Sequence, residues 1–404
     1  MECGKWQPTG MPAIVKLFEG LQKRGYVFEV VLIDKTDTHP RNSPRKIIFE
    51  EFSADFHILT SLRPLARFVH KPVLSKAARF INALFHFYRI GSIITQADID
   101  VIYTDRENVV IGGLLALLGN KVILRLHGVH VFFDRFNNPL LRFRYPLRFL
   151  SFKAPFQHII VSEDGTPAKE FLEKFTSPTV RKSVLLNGVD KSDRASNNVR
   201  EKFNIPDGRP IILFVGRLDE GKGAEVFLQC VEKLVGTNAN FCALIVGDGK
   251  LYDKLKSQTK GRQNFIFAGS IEHSEIHAFY STADIYVSLN SLGNLSNTVL
   301  EALQAGNCIV TYKKDELSLR DRSTERHLRD AAVFIDRYKV VEELPSRLND
   351  LLSSPERLQR LKMKAKKQAN RILRTWEQRI EEEIHIIEEV RRVDFTIKLS
   401  AQKM

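Results

Sequence analysis

The sequence predicts an α/β protein made of two Rossmann-like domains that face each other across a cleft. Three observations predict it. Short β-rich runs alternate with helical runs, the pattern of a parallel sheet. The alternation stops in a polar, irregular stretch at residues 191–209 and then restarts. Residues 283–310 spell a complete βαβ crossover: ADIYVSL, a polar loop, a helix with Val299, Leu300, Ala302 and Leu303 on one face, a stop at Gly306, and the strand Cys308-Ile309-Val310. The expected units are an N-terminal domain over 1–190, a linker over 191–209, a C-terminal domain over 210–375 and a charged helix over 376–404.

The N-terminal half opens with a polar segment and a helix over Pro12–Gly25, then a strand over Val27–Ile33. A doubly wound domain should open on a strand, and that strand is absent before the helix. Residues 34–56 read as a polar connection. Strands follow at Val101–Thr104, Val122–Leu126, Ile159–Ser162 and Ser183–Leu186, with helices at Asn108–Leu118 and Pro167–Phe175 between them. In the C-terminal half the strands are Ile211–Val215, Phe241–Val246, Phe265–Phe267 and Ala332–Ile335, besides the two of the crossover. Helices are expected over Gly223–Val235, Lys250–Lys256, Ser274–Ser281, Lys339–Leu352, Pro355–Asn370 and Arg371–Val393.

Composition narrows the class. With 404 residues, 43% hydrophobic and 27% charged, the chain has the make-up of a globular protein. No run reaches the ~18 apolar residues of a membrane span; the best, Val109–Leu118, reads as a buried helix. No apolar leader stands at the N-terminus. The cysteines, Cys3, Cys230, Cys242 and Cys308, lack metal-ligand spacing and fit a reduced, cytoplasmic protein.

The formal charge is +13, and the basic residues concentrate in two stretches. Between Asp55 and Asp98 lie Arg63, Arg67, Lys71, Lys76, Arg79 and Arg89, among Phe68, Phe80, Phe85, Phe87 and Tyr88, with no acid. Between Asp134 and Glu163 lie Arg135, Arg142, Arg144, Arg148 and Lys153, among Phe143, Phe149 and Phe152. Such segments suit an anionic membrane surface at the inner face of the membrane. Nucleic acid, or a solvated face over an aromatic core, are the other readings of the same charge; nucleic acid is not adopted as a partner.

Four motifs can carry chemistry. Gly216-Arg217-Leu218-Asp219-Glu220-Gly221-Lys222 follows a strand and resembles a P-loop, but Gly223 stands where the magnesium-binding hydroxyl belongs. What survives is a glycine loop presenting Arg217 and Lys222, cations that suit a diphosphate. Gly247-Asp248-Gly249 is a second glycine turn at a strand end, with room for a base or ribose. In the crossover, Ser296 or Asn297 can cap the helix, its free N–H groups attract an anion, and Glu301 can accept hydrogen bonds from sugar or ribose hydroxyls. His127-Gly128 ends a strand in the first half and faces the cleft from the other wall. Asp98-Ile99-Asp100 precedes a strand and reads as its opening turn.

Taken together, VGRL-x-x-x-KG, LIVGDG, FAGS, ADIYVSL and LEAL-x-AG resemble the retaining glycosyltransferases of the GT-B fold, family 4. LHG at 126–128, VSEDG at 161–165 and LLNGVD at 185–190 agree more weakly. The resemblance spans most of 100–375. It implies that Arg217 and Lys222 hold the donor diphosphate, that Glu301 binds the ribose, that His127 lies near the sugar at the reaction centre, and that Gly10 contacts the phosphates. Gly216, Gly247, Asn290, Ser291, Asn294 and Asn297 complete the expected donor site. The family commonly has a second glutamate eight residues before Glu301; here that residue is Gly293, and Asn290, Ser291 or Asn294 could substitute. No metal or cofactor is needed, since cations and a helix N-terminus stabilise the leaving diphosphate. The expected activity is transfer of a sugar, with retention, from a nucleotide-diphosphate sugar to a cell-surface glycan or lipid-linked acceptor. The alternative is a non-catalytic binding protein with the same fold.

Overall fold

The computed structural model describes residues 12–33, 46–48, 53–60, 74–190, 199–237, 240–290, 294–314 and 323–392. The N-terminal half runs α1 (Pro12–Lys23), β1 (Glu29–Ile33), β2 (Lys46–Ile48), β3 (Ser53–Leu59), α2 (Leu74–Gln96), β4 (Ile102–Asp105), α3 (Val109–Leu117), β5 (Val122–Leu126), α4 (His130–Asn137), α5 (Pro139–Arg144), α6 (Pro146–Ser151), β6 (His158–Ser162), α7 (Ala168–Phe175) and β7 (Arg181–Leu185). The C-terminal half runs α8 (Val199–Lys202), β8 (Ile211–Val215), α9 (Ala224–Val235), β9 (Cys242–Val246), α10 (Tyr252–Gln258), β10 (Phe265–Gly269), α11 (His273–Thr282), β11 (Ile285–Ser288), α12 (Asn297–Ala305), β12 (Cys308–Tyr312), α13 (Ser323–Leu328), β13 (Ala332–Ile335), α14 (Val340–Leu352), α15 (Pro355–Ile372) and α16 (Trp376–Arg392).

Six parallel strands form the C-terminal sheet, in the order β10-β9-β8-β11-β12-β13. The order reverses between β8 and β11, so the loops after these two strands diverge and leave a crevice at their carboxyl ends. Successive strand residues enter opposite cores: Ile212 and Phe214 pack under α9 and α14, Ile211 and Leu213 under α11, α12 and α15. Both faces are covered, which is why these strands are continuously apolar.

The N-terminal half divides its strands between two sheets. One is β1-β3-β2, with β1 and β3 parallel and β2 antiparallel; the other is β4-β5-β6-β7, all parallel. Whether a strand precedes α1 lies outside the described residues, which begin at Pro12; among the described residues no strand joins β1 to β4. The last helix, α16, returns to this half. Its Ile380 and Ile384 pack on Leu17 and Leu21 of α1, and Ile386 and Val390 on Ile123 and Ile160 of the second sheet.

Four expectations need correction. Residues 34–56, expected as a connection, contain β2 and the start of β3; their strand signal is a few residues long and lies among charges. The expected linker contains α8, whose Val199 is buried against Tyr280 and Phe279 in one core. The helix expected over Arg371–Val393 starts at Trp376, because Leu373 is extended and Thr375 bridges to Val189. Finally, α3 is not buried all round: Val109, Leu115 and Ala116 are covered, but Leu114, Leu117 and Leu118 are exposed.

Candidate functional site

The crevice at β8 and β11 is shaped by glycines. After β8 the chain turns at Gly216 and returns as α9. Gly223 has φ +88°, and a Cβ there would stand 2.5 Å from the backbone oxygen of Leu289. The loop carrying Arg217 and Lys222 therefore rests directly on the end of β11, and only a residue without a side chain permits it. The turn after β9 fits equally closely. A Cβ on Gly247, at φ +130°, would meet the Gly216 carbonyl at 2.0 Å. Gly216 N–H donates to the Val246 carbonyl at 3.0 Å and Leu218 N–H to that of Asp248 at 2.9 Å. Gly247 is thus explained by the backbone packed against it.

Arg217 is largely exposed and pairs with Asp219 at 3.3 Å. Lys222 is half-buried; desolvation, then the neighbouring Arg217 charge, lower its pKa, against the pull of Asp219. Two cations held close together with only a partial counter-charge are primed for an anion.

Across the loop, Ser296 stands at the N-cap of α12, and no side chain caps the helix. The Ser296 hydroxyl instead shares a hydrogen bond with Thr298 Oγ1 at 2.9 Å. The helix's first-turn N–H groups keep their pull on a negative group. Glu301 sits one turn in. Burial raises its pKa above the usual carboxylate range, while the Tyr280 hydroxyl and His273 pull it back. Asn297 Oδ1 accepts from Asn187 Nδ2 at 2.7 Å, so the start of this helix is tied to the N-terminal half. Asn294 is buried and donates to the Tyr312 carbonyl at 3.0 Å, which anchors the loop. Asn290 is half-buried at the end of β11. Gly10, Ser291 and Gly293 lie outside the described residues.

The opposite wall is the carboxyl end of β5. His127 is half-buried, and its covered Nε2 has no partner among the described residues. Desolvation and the Arg125 guanidinium lower its pKa to about 3. The ring is neutral at physiological pH and can exchange hydrogen bonds with a ligand without adding charge. Gly128, at φ +95°, leaves space for Asp164, whose Oδ2 would lie 2.3 Å from a Cβ.

Beneath His127 lies a buried ionic cluster. Glu383 of α16 pairs with Arg125 at 3.3 Å and with Arg379 at 2.7 Å, and Tyr103 of β4 donates to it. Burial pushes the Glu383 pKa up, and the two arginines and Tyr103 bring it below the usual range. Arg125 also donates to Ser162 Oγ at 3.0 Å, and Ser162 to Asn187 Oδ1 at 3.3 Å. A chain of polar contacts thus runs from α16 under His127 to the first residue of α12.

Several residues of this region escaped the sequence reading. His130 opens α4, and its pKa is lowered by desolvation, then by Arg106 and by Lys222; that last coupling brings the two walls together. His273 lies 3.2 Å from Asp190, and His327 lies 2.9 Å from Glu163; each pair joins the two halves. Leu295 N–H donates to the Asp164 carbonyl at 3.1 Å. None of these pairs has a local spacing signal, since the partners are 83 and 164 residues apart; the VSEDG run at 161–165 was the one available hint. The DxD at 98–100 is a turn: Asp98 is left-handed, at φ +49°, and Asp100 accepts from Arg391 Nε at 2.8 Å. Among the described residues no group of three or more His, Cys, Asp or Glu could hold a metal ion.

Two parallel-sheet units facing across a crevice make up the GT-B fold. HepE from Anabaena, solved in complex with UDP, superposes with a TM-score of 0.64 over 96% of this chain and 98% of that one, at 12% identity. Residues 195–368 match the family described as "Glycosyl transferases group 1". An uncharacterized glycosyltransferase of Methanocaldococcus jannaschii is 27% identical over 176 residues, covering 41% of this chain and 44% of that one. The lipopolysaccharide 1,2-N-acetylglucosaminetransferase of Salmonella typhimurium is 26% identical over 178 residues, covering 39% and 47%. The chain thus spans less than half the length of these curated relatives.

Proposed function

We propose that this chain is a glycosyltransferase that moves a sugar from a nucleotide-diphosphate donor to a glycan or lipid-linked acceptor, with retention of configuration and without a metal. One observation carries the reading: Gly223 seats the Arg217–Lys222 loop on Leu289, beside the uncapped start of the Glu301 helix, at the switch point of the sheet. In this reading the diphosphate lies between the two cations and the N–H groups of α12, which stabilise it as it leaves. Glu301 accepts the ribose hydroxyls, and neutral His127 meets the donor sugar from the opposite wall. The N-terminal half, 1–190, holds the acceptor and the C-terminal half, 210–375, the donor. The match of 195–368 to the group 1 family, the UDP complex of HepE and the lipopolysaccharide-directed relative support this reading.

Release of nucleoside diphosphate from a panel of nucleotide sugars, with and without EDTA, tests it. The expectation is release from one donor, undiminished by EDTA, with the anomeric configuration kept in the product by NMR. Binding of a nucleotide with no release from any donor, whatever acceptor is supplied, would favour the non-catalytic alternative.

A further inference from the structure

The helices that follow His127 carry a surface that the donor site does not use. Between residues 134 and 153 there are five cations, Arg135, Arg142, Arg144, Arg148 and Lys153, and one acid, Asp134. Four large apolar side chains of this stretch point to solvent: Leu140 is 78% exposed, Phe143 84%, Leu147 60% and Leu150 60%. They belong to α5 and α6, two short helices with a proline at the start of each. Asn138 Oδ1 caps α5 by accepting from Leu140 N–H at 3.0 Å.

The surface extends onto α3. A Cβ on Gly113 would lie 3.2 Å from Ser151 Cβ and 3.3 Å from Ala154 Cβ, so α3 and α6 meet almost backbone to backbone. One helical turn from that contact stand Leu117 on α3 and Leu147 on α6, both exposed. Exposed leucines of two touching helices thus stand within a turn of one crossing, apolar exposure of the kind that marks an interaction site. Its underside is rigid. Phe136, Phe149, Phe152, Phe171 and Phe175 interlock with ring centroids 5.2–6.3 Å apart, and Arg142 lies over Phe149 and Phe175.

We propose that α3, α5 and α6 form a docking face for an anionic lipid bilayer. Leucine and phenylalanine enter the acyl boundary, while Arg144 and Lys153, both exposed, reach the headgroups. Charge decides among occupants. A second copy of the same face would set Arg144 and Lys153, both exposed, against like charges. Nucleic acid would reward exposed cations but not exposed leucines. A bilayer with acidic headgroups satisfies both. The location matters because α4, α5 and α6 lie between β5, which ends at His127, and β6. Docking would hold this wall of the cleft at the membrane, where a lipid-linked acceptor stands; this last step rests on the transferase reading.

The test is flotation of the full chain with phosphatidylcholine vesicles and with vesicles containing phosphatidylglycerol, at low and high salt. Binding should require phosphatidylglycerol and weaken with salt. The variant F143S/L147S should lose most of it, and R144Q/K153Q should weaken it about 30-fold, at roughly 1 kcal/mol per cation near the surface. All four positions are exposed or half exposed at the surface, and retained nucleotide binding by each variant verifies its fold. Absence of binding to anionic vesicles, or binding that neither variant alters, overturns the proposal. So does self-association by sedimentation that F143S/L147S abolishes while vesicles are ignored. Nucleotide binding without vesicle binding removes the docking face alone; vesicle binding without nucleotide binding removes the transferase reading and leaves the face.

Discussion

In the C-terminal half one six-stranded sheet carries the crevice, and its loops are set by glycine backbones in direct contact. In the N-terminal half two smaller sheets are held together by a returning helix, and the cleft wall rests on a buried cluster of two arginines and one glutamate. The first arrangement builds its site by close backbone approach and depends little on charge beneath the surface. The second depends on ions that would be costly to bury unpaired. The difference teaches where each half should be fragile: the C-terminal half to added atoms, the N-terminal half to removed charge.

The largest effect should come from the N-terminal half. Glu383→Ala leaves Arg125 and Arg379 buried without their carboxylate, and breaking such a pair costs about 3–5 kcal/mol. Urea unfolding should show that loss. A cost under about 1 kcal/mol would mean that the cluster is more hydrated than its burial indicates. In the C-terminal half, Gly223→Val adds atoms where even a Cβ meets Leu289 at 2.5 Å, at a left-handed φ. It should cost roughly 1–3 kcal/mol of stability and displace Lys222, so that nucleotide affinity falls as well; unchanged affinity would separate the loop from the site.

Lys222→Ala and Glu301→Ala should spare the fold and weaken donor binding. The loss of a charge-assisted hydrogen bond is worth roughly 1.5–3 kcal/mol, or about 10- to 150-fold. His127 sharpens the comparison through pH. Its folded pKa, about 3, lies below the ordinary value of 6.5. Between these limits the unfolded chain binds more protons, so stability falls as pH falls, by up to about 1.4 kcal/mol per pH unit. Urea unfolding between pH 7 and pH 5 should show a shallower slope in His127→Gln than in the parent chain. An identical slope would mean that His127 is already hydrated. A small effect on stability is expected at the seam: Asn187→Ala removes the hydrogen bonds to Asn297 and from Ser162, each worth about 0.5–1.5 kcal/mol.

The same contrast explains what the sequence could reveal. The C-terminal strands are uniformly apolar, and VGRL, LIVGDG and LEAL-x-AG mark the strand ends, so the fold and the crevice were readable from local runs, and the residues proposed to hold the donor lie in those runs. Gly223 and Gly247 could be seen as glycines, but not what pressed against them: Leu289 and the Gly216 backbone arrive from far along the chain. In the N-terminal half β2 and β3 hide among charges, and Glu383 reads as one more acid on a charged helix until α16 returns over β4 and β5. Likewise α3 looks like a core helix by composition, because periodicity cannot show that Leu114 and Leu117, and Leu118 just past its end, face outward.

The central claim is that the loop bearing Lys222 and the helix bearing Glu301 together hold a nucleoside diphosphate. Calorimetric titration of UDP, GDP and ADP into the parent chain and into Lys222→Ala tests it most directly. The account predicts that one nucleotide binds the parent chain and that the variant loses at least about tenfold in affinity. Binding of equal strength to both proteins would contradict it, and so would failure of all three nucleotides to bind the folded parent chain.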